Sequence, residues 1–93
     1  MRLSETERQA IVETIRQADA EADIYLHGSR VDDNARGGDI DLLVLSAKID
    51  LHDKLEILAG LHRRLGERRI DLAVYPDVSR PFPRVAMESG VLL

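Results

Sequence analysis

Residues 39–45 constrain the fold more than any other stretch of this 93-residue chain. From Leu42 to Leu45 every position is apolar, so both faces of a strand formed here carry hydrophobic side chains. Such a strand has to lie inside a sheet that is covered on both faces. Two acidic residues, Asp39 and Asp41, stand at its start without any evident packing benefit, and such local inconsistency is typical of a functional site.

The flanking sequence predicts alternating helices and strands. Ser4 and Glu7 form a capping-box pair, which predicts a first helix of about four turns. Residues 24–26 predict a short strand that leads into a polar loop. Residues 51–65 predict a second helix with one continuous leucine face, which consists of Leu51, Leu55, Leu58, Leu61 and Leu65.

A third strand is predicted over residues 69–75 and a brief helix over residues 81–88, with residues 91–93 trailing. This order predicts one domain over residues 1–93, an α+β fold in which a small mixed sheet packs against helices. The connection between residues 45 and 69 is long enough for a right-handed parallel crossover. Residues 24–26 are expected to pair antiparallel with residues 39–45.

Composition excludes several classes of function. Thirteen basic and seventeen acidic residues give a net charge of −4, which disfavours a uniformly basic surface for nucleic acid. The chain has no cysteine, which excludes disulfides, thiolate zinc sites and thiol nucleophiles. Charges interrupt the apolar residues near the N-terminus, so we expect neither a signal peptide nor a membrane span. A cytoplasmic location fits these features best.

Three carboxylates are predicted to meet at one end of the sheet. Asp39 and Asp41 are two residues apart and therefore share a face of their strand. Asp71, near the start of the third strand, joins them if the two strands are parallel neighbours. Clustered carboxylates need a compensating cation, and Mg²⁺ prefers oxygen ligands. Two such ions can activate a hydroxyl and neutralise charge on a transferring phosphoryl group.

The residues just before the polar loop suit phosphate binding. Gly28 lets the backbone approach a phosphate closely, and the hydroxyl of Ser29 can donate a hydrogen bond. Arg30 or Arg36 could add a charged contact. Each motif alone has a plain structural reading, because Gly-Ser is usually a turn and Asp-x-Asp commonly caps a loop. Their joint occurrence carries the functional interpretation.

Two further groups of residues are not assigned to this site. The three histidines show no metal-ligand spacing and are predicted to be surface or boundary residues. The apolar residues near the C-terminus either pack on the domain or form a surface for a partner, and they are Phe82, Val85, Val91, Leu92 and Leu93.

Residues 27–44, HGSRVDDNARGGDIDLLV, resemble the signature of the polymerase-β-like nucleotidyltransferases, and most closely their minimal prokaryotic branch (MNT). That signature is Gly-Ser, a variable loop and Asp-x-Asp, with a third acid on a later strand. The resemblance implies that Gly28 and Ser29, with Arg30, hold the triphosphate of ATP. It implies that two Mg²⁺ ions and the catalytic chemistry belong to three residues, Asp39, Asp41 and Asp71.

The implied reaction is transfer of AMP from ATP to a hydroxyl, with release of pyrophosphate. The resemblance also implies an adjacently encoded helical partner: a HEPN-type toxin that this antitoxin adenylylates, or a substrate-binding subunit. Many members of the branch have Ser before the first Asp, whereas this chain has Gly37 and Gly38, which indicates a subfamily variant. Both homo- and hetero-oligomers fit this picture, and a chain lacking the second domain of larger relatives is expected to need a partner.

Two other functions remain as alternatives. The first is a non-catalytic subunit that neutralises or assembles with the helical partner, and the apolar C-terminal region motivates it. The second is a transferase that acts on RNA ends. It is the weaker alternative because the net charge is negative and only three aromatic residues are available for stacking, namely Tyr25, Tyr75 and Phe82.

Overall fold

The computed structural model describes residues 3–28 and 39–93. Within these ranges no helix is both long enough and apolar enough to cross a bilayer. The predicted α+β fold is confirmed. The described elements, in chain order, are α1 (Glu5–Arg16), β1 (Asp23–His27), β2 (Ile40–Leu45), α2 (Leu51–Leu65), β3 (Ile70–Tyr75), α3 (Pro81–Ser89) and β4 (Val91–Leu92).

The four strands form one mixed sheet in the order β3-β2-β1-β4. β1 pairs antiparallel with both β2 and β4, whereas β3 runs parallel to β2. The interior position of β2 explains its apolar sequence, since Leu42, Leu43 and Val44 are all fully buried although they alternate between the two faces. The sheet therefore carries helices on both sides, as the pattern of β2 predicts.

Helices α1 and α2 cover one face of the sheet and α3 lies on the other. The core between the sheet and α1 and α2 is built from alternate strand residues together with Ile11 and Ile15 of α1 and Ile57 and Leu61 of α2. On the opposite face the ring of Phe82 in α3 contacts residues of β1 and β3 that alternate with the core positions. That second face is the one on which the acidic residues of β2 and β3 lie.

The first helix begins at the predicted capping box. The Ser4 hydroxyl accepts a hydrogen bond from the Glu7 amide at 3.1 Å, and the Glu7 carboxylate accepts one from the Ser4 amide at 3.0 Å. Glu7 also forms an ion pair with Arg68, two residues before the start of β3. The backbone hydrogen bond from Ser4, together with Arg68, lowers the pKa of Glu7. One side chain thus caps α1 and ties it to the chain that enters β3.

The predicted leucine face of α2 is only partly correct. Leu61 is fully buried, but Leu51 and Leu55 have 71% and 59% of their surface exposed. The buried stripe instead runs through Ile57, Gly60 and Leu61. At Gly60 the two helices come very close, because a Cβ there would lie 3.0 Å from the Thr14 methyl group of α1. The contact with α1 therefore turns the first two leucines toward solvent.

The C-terminal residues form a short strand that the sequence did not predict. β4 pairs with β1, and the Leu93 amide donates to the Ile24 carbonyl at 2.8 Å. Gly90 permits this approach, since a Cβ there would lie 2.9 Å from the Leu26 carbonyl oxygen. A two-residue strand is too short to show a period. Of the five apolar residues left open above, the two that are half-buried are Val91 and Leu93, and the three that stay exposed are Phe82, Val85 and Leu92.

Ser46 joins the loop after β2 to the loop after α1. Its side chain is buried, and its hydroxyl donates to the Asp19 carboxylate at 2.5 Å. The same oxygen accepts hydrogen bonds from the backbone amides of Lys48 and Ile49, each at 3.1 Å. These bonds shape the turn that leads into α2.

We expect Ser46→Ala to lower the free energy of unfolding by about 1–3 kcal/mol, because it leaves a buried amide without its acceptor. Urea unfolding followed by circular dichroism measures this change. Ser89→Ala is the matched control, since Ser89 is exposed and donates only to a carbonyl of its own helix. Its expected effect is within about 0.5 kcal/mol. Equal effects of the two substitutions would contradict the assignment of Ser46.

Candidate active site

Three strands bring their ends together at one edge of the sheet. β2 and β3 are parallel and in register, with Asp41 directly beside Asp71. β1 runs the other way and ends at this edge, with His27 opposite Asp41. Neighbouring strands are about 5 Å apart, so the two acidic side chains are held next to each other by backbone pairing alone. The register thus produces the juxtaposition that the sequence predicts for these two residues.

Both acidic side chains lie on the face that carries α3. Asp41 alternates with the buried Ile40 and Leu42, and Asp71 alternates with Ile70 and Leu72. Asp41 is half-buried, whereas the side chain of Asp71 is 53% exposed. The pair therefore has one member that the fold shields from water and one that is open to an incoming molecule.

The pKa of Asp41 is raised above 3.8. Burial is the largest cause, and the second is a hydrogen bond in which the Asp71 carboxylate accepts the Asp41 proton. The charges of Asp71 and Asp39 act in the same direction, and the charge of His27 opposes them. Two carboxyl groups so close need either a shared proton or a cation between them. A divalent cation prefers oxygen ligands of this kind. Of the three predicted carboxylates the structure brings Asp41 and Asp71 together, and Asp39 does not complete a group of three ligand atoms within 4.8 Å of one another.

Asp39 lies immediately before β2 and is exposed. Its charge contributes to the raised pKa of Asp41, so it belongs to the same electrostatic neighbourhood. The backbone that follows it is held by a hydrogen bond from the Ile40 amide to the Arg69 carbonyl at 2.9 Å. The entry to β2 is thereby fixed to the entry to β3, and the acidic residues of both strands keep their relative positions.

Gly28 touches Asp41 directly. Its backbone has φ +75°, and a Cβ at this position would lie 2.4 Å from the Asp41 Oδ2 atom. Both the backbone angle and the close approach require glycine. The sequence singles out Gly28 as a phosphate contact, and the structure adds that it makes room for the Asp41 carboxylate. Ser29 and Arg30, the other predicted phosphate contacts, lie outside the described residues, as does Arg36.

Two basic residues border the carboxylates. His27 lies opposite Asp41, and its charge favours the ionised form of that group. The Arg69 Nε atom lies 3.6 Å from the Asp71 Oδ2 atom, and both side chains are largely exposed. Sequence reasoning placed His27 among surface residues and did not assign Arg69 to the site. In the sequence, the only indication that His27 belongs to the site is its position immediately before Gly28. For Arg69 it is the position two residues before Asp71.

A second acidic group lies at the start of α2. One ligand atom each of Asp50, His52 and Asp53 lies within 4.8 Å of the others, which offers a metal ion three ligands. The Asp50 carboxylate accepts from the Asp53 amide at 2.8 Å, and the Asp53 carboxylate accepts from the Asp50 amide at 3.2 Å. Both acids thus cap the helix, and the hydrogen bond from Asp53 lowers the pKa of Asp50. Because α2 follows the far end of β2, this group lies away from Asp41.

The end of the sheet at Asp41 and Asp71 offers two adjacent carboxylates, a third acid nearby and a glycine turn. Such oxygen ligands suit a cation that carries phosphate oxygens in its remaining positions. Gly28 has no side chain of its own, so its backbone can approach those phosphates closely. An arrangement of this kind supports the transfer of a phosphorus-centred group to a nucleophile that enters beside Asp71.

A family model described as "Polymerase beta, Nucleotidyltransferase" matches residues 9–93. The matched span contains all four strands and every described site residue, Gly28, Asp39, Asp41 and Asp71. No curated protein matches the chain significantly.

Proposed function

Because the chain belongs to the polymerase-β nucleotidyltransferase family, and so carries a nucleotidyltransferase domain with a nucleotide substrate, we propose that it transfers AMP from ATP to a hydroxyl of a partner protein. The proposed reaction depends on Mg²⁺. The observation that carries this proposal is the pairing of Asp41 with Asp71 on neighbouring parallel strands, beside Gly28. Two acids held together on an open face are most simply explained as ligands of a cation that binds phosphate.

The roles of the residues follow from their exposure. Asp41 and Asp39 would hold Mg²⁺ against the triphosphate, and Gly28 would let the backbone amides approach its oxygens. Bound Mg²⁺ would neutralise the phosphates and lower the pKa of the acceptor hydroxyl. Asp71, the exposed member of the pair, would also bind the metal and would take the proton of that hydroxyl. The hydroxyl oxygen then bonds to the α-phosphorus, the bond between that phosphorus and the bridging oxygen breaks, and pyrophosphate leaves.

A protein acceptor is supported by the surface around this site. Val85 and Leu92 are large, exposed apolar residues of α3 and β4. Exposed apolar groups of this kind suit a protein surface better than a nucleic acid, and the net charge of −4 points the same way. The resemblance of residues 27–44 to the minimal branch supports a helical HEPN-type toxin as the acceptor. In that role the chain would act as an antitoxin by adenylylating it.

Transfer of label from ATP tests this proposal. The protein is incubated with Mg²⁺, the helical protein encoded beside it, and ATP labelled at either the α- or the γ-phosphate. We expect the neighbour to take up the α-label only. Asp71→Asn should abolish the uptake, whereas the matched His52→Ala, at the other acidic group, should leave it intact. Uptake of the γ-label, or equal uptake with Asp71→Asn, would refute nucleotidyl transfer by this site.

The same variants distinguish a purely binding role. The exposed apolar residues of α3 and β4 would serve equally well in a subunit that neutralises its partner without chemistry. In that case Asp71→Asn would still protect cells from the partner, while removal of residues 90–93 would not. Loss of protection with Asp71→Asn supports the catalytic antitoxin.

A further inference from the structure

Two of the three aromatic residues of the chain, Phe82 and Tyr75, lie in one row with His27, the neighbour of Asp41. The whole sequence contains two tyrosines, one phenylalanine and no tryptophan. The Phe82 ring centre lies 5.8 Å from that of His27, edge to face at 79°, and 5.8 Å from that of Tyr75 at 42°. All three rings lie on the face of the sheet that carries Asp41. They form a row of flat surfaces, the aromatic row, defined by His27, Phe82 and Tyr75.

The aromatic row begins at the candidate active site. His27 is the direct neighbour of Asp41 across the β1–β2 pair, and Gly28, which follows it, touches the Asp41 carboxylate. From there the row runs over the middle of the sheet to Tyr75, the last residue of β3. A molecule whose phosphates are held at Asp41 and Gly28 would therefore have the aromatic row within reach.

Phe82 is not one of the residues that α3 buries against the sheet. The residues that bury α3 against the sheet are Pro83 and Ala86. Phe82 keeps 48% of its surface exposed, although it is the only phenylalanine of the chain. The ring contacts His27 and Tyr75 with part of its surface, and the exposed remainder is available to a ligand.

We propose that Phe82, supported by Tyr75, is the platform on which the base of the donor nucleotide stacks. This inference rests on the proposed function, because it takes the nucleotide phosphates to be held at Asp41. Only a ribose separates the base from the reacting α-phosphate, so the base has to lie close to the carboxylates. Stacking requires an exposed π-face, and every base supplies the other one. Purines present the larger ring and should stack more strongly than pyrimidines.

Fluorescence of Phe82→Trp tests the platform without any turnover. Because the chain has no tryptophan, this variant carries a single reporter at the platform. In the presence of Mg²⁺ we expect ATP to quench its emission and inorganic tripolyphosphate, which has no base, to bind without quenching. Equal responses to the two ligands would overturn the proposal.

The affinity of the aliphatic variant gives a second readout. Phe82→Leu keeps an apolar side chain but removes the ring, and it should weaken ATP binding about tenfold, within the range of base–aromatic stacking. Tripolyphosphate binding should not change. Val85→Ala is the matched control, an exposed apolar truncation on the same helix, and it should leave both affinities unchanged. Thermal unfolding of each variant verifies that the fold is retained.

The outcomes separate this inference from the proposed function. If neither ATP nor tripolyphosphate binds the unaltered protein, the proposed function itself fails. If both bind, and Phe82→Leu leaves the ATP affinity unchanged, the proposed function stands and the platform is refuted. If Phe82→Leu and Val85→Ala both weaken capture of the helical partner and neither affects ATP, the row belongs to a protein interface and the platform is again refuted.

Discussion

Asp41→Asn is expected to abolish nucleotidyl transfer while leaving the fold intact. Residues that only support a metal ligand typically contribute ten- to a hundredfold to activity, and loss of a ligand itself should exceed about a hundredfold. Asparagine keeps the shape of the side chain, so the β1–β2–β3 register is not disturbed. The rate of α-label transfer measures the loss.

The same substitution should not destabilise the protein, which distinguishes a functional carboxylate from a structural one. In buffer that contains a chelator at neutral pH, Asp41 lies beside the charges of Asp71 and Asp39. Removing one of these like charges relieves repulsion, so Asp41→Asn should unfold at a temperature equal to or higher than that of the unaltered protein. Mg²⁺ should then stabilise the unaltered protein and have little effect on the variant. A lower unfolding temperature for Asp41→Asn would contradict this account.

The pH dependence of stability follows from the raised pKa of Asp41. A group that holds its proton more tightly in the folded state stabilises the fold while it is protonated. This contribution is present in full below pH 3.8, the ordinary pKa of the group, and is lost as the pH rises through the higher pKa of the folded state. In buffer that contains the chelator, the stability of Asp41→Asn should not show this decrease with rising pH. Urea unfolding of both proteins at a series of pH values above 3.8 tests the sign.

Gly28→Ala is expected to have the second largest effect, because it pushes on the same carboxylate. Its Cβ would lie 2.4 Å from the Asp41 Oδ2 atom, far inside contact distance, and alanine also disfavours φ +75°. The backbone alone should cost about 1–3 kcal/mol of stability. The methyl group would displace the Asp41 carboxylate from its position beside Asp71, so transfer activity should fall with the stability.

Gly66→Ala separates the effect of the positive φ from the effect of the contact with Asp41. Gly66 also has a positive φ, +84°, but among the described residues no atom beyond its chain neighbours lies within 4 Å of the Cβ position. It should therefore lower the unfolding temperature and leave transfer intact at temperatures where the variant is folded. If Gly66→Ala reduced transfer as strongly as Gly28→Ala, backbone strain alone would explain the loss and the contact with Asp41 would be irrelevant.

Much of the fold could be predicted because local patterns and tertiary packing agree. The apolar run of β2 requires an interior strand, and the capping box at Ser4 marks the start of α1. The connection from β2 through α2 is long enough for β3 to run parallel to β2, and this parallel pairing aligns Asp71 with Asp41. The chemistry of the pair was thus accessible from periodicity and connection length together.

Other features depend on contacts between distant residues and leave no local pattern. The exposure of Leu51 and Leu55 follows from how closely α2 meets α1 at Gly60, not from the spacing of the leucines. β4 is too short to show alternation and exists because β1 offers it an edge. The position of Phe82 beside His27 depends on how α3 crosses the sheet. The roles predicted for Ser29 and Arg30 stay predictions.

Metal binding tests the central claim most directly, because the described residues offer a metal ion two acidic clusters, one around Asp41 and one at the start of α2, and only the first is assigned to the reaction. Mn²⁺ serves as a paramagnetic substitute for Mg²⁺, and electron paramagnetic resonance counts the bound ions in the presence of ATP. We expect Asp41→Asn and Asp71→Asn each to lower the ATP-dependent binding of Mn²⁺ strongly, and His52→Ala to leave it unchanged. Retained binding in the first two variants, with loss in His52→Ala, would place the metal at the start of α2 and contradict the assignment.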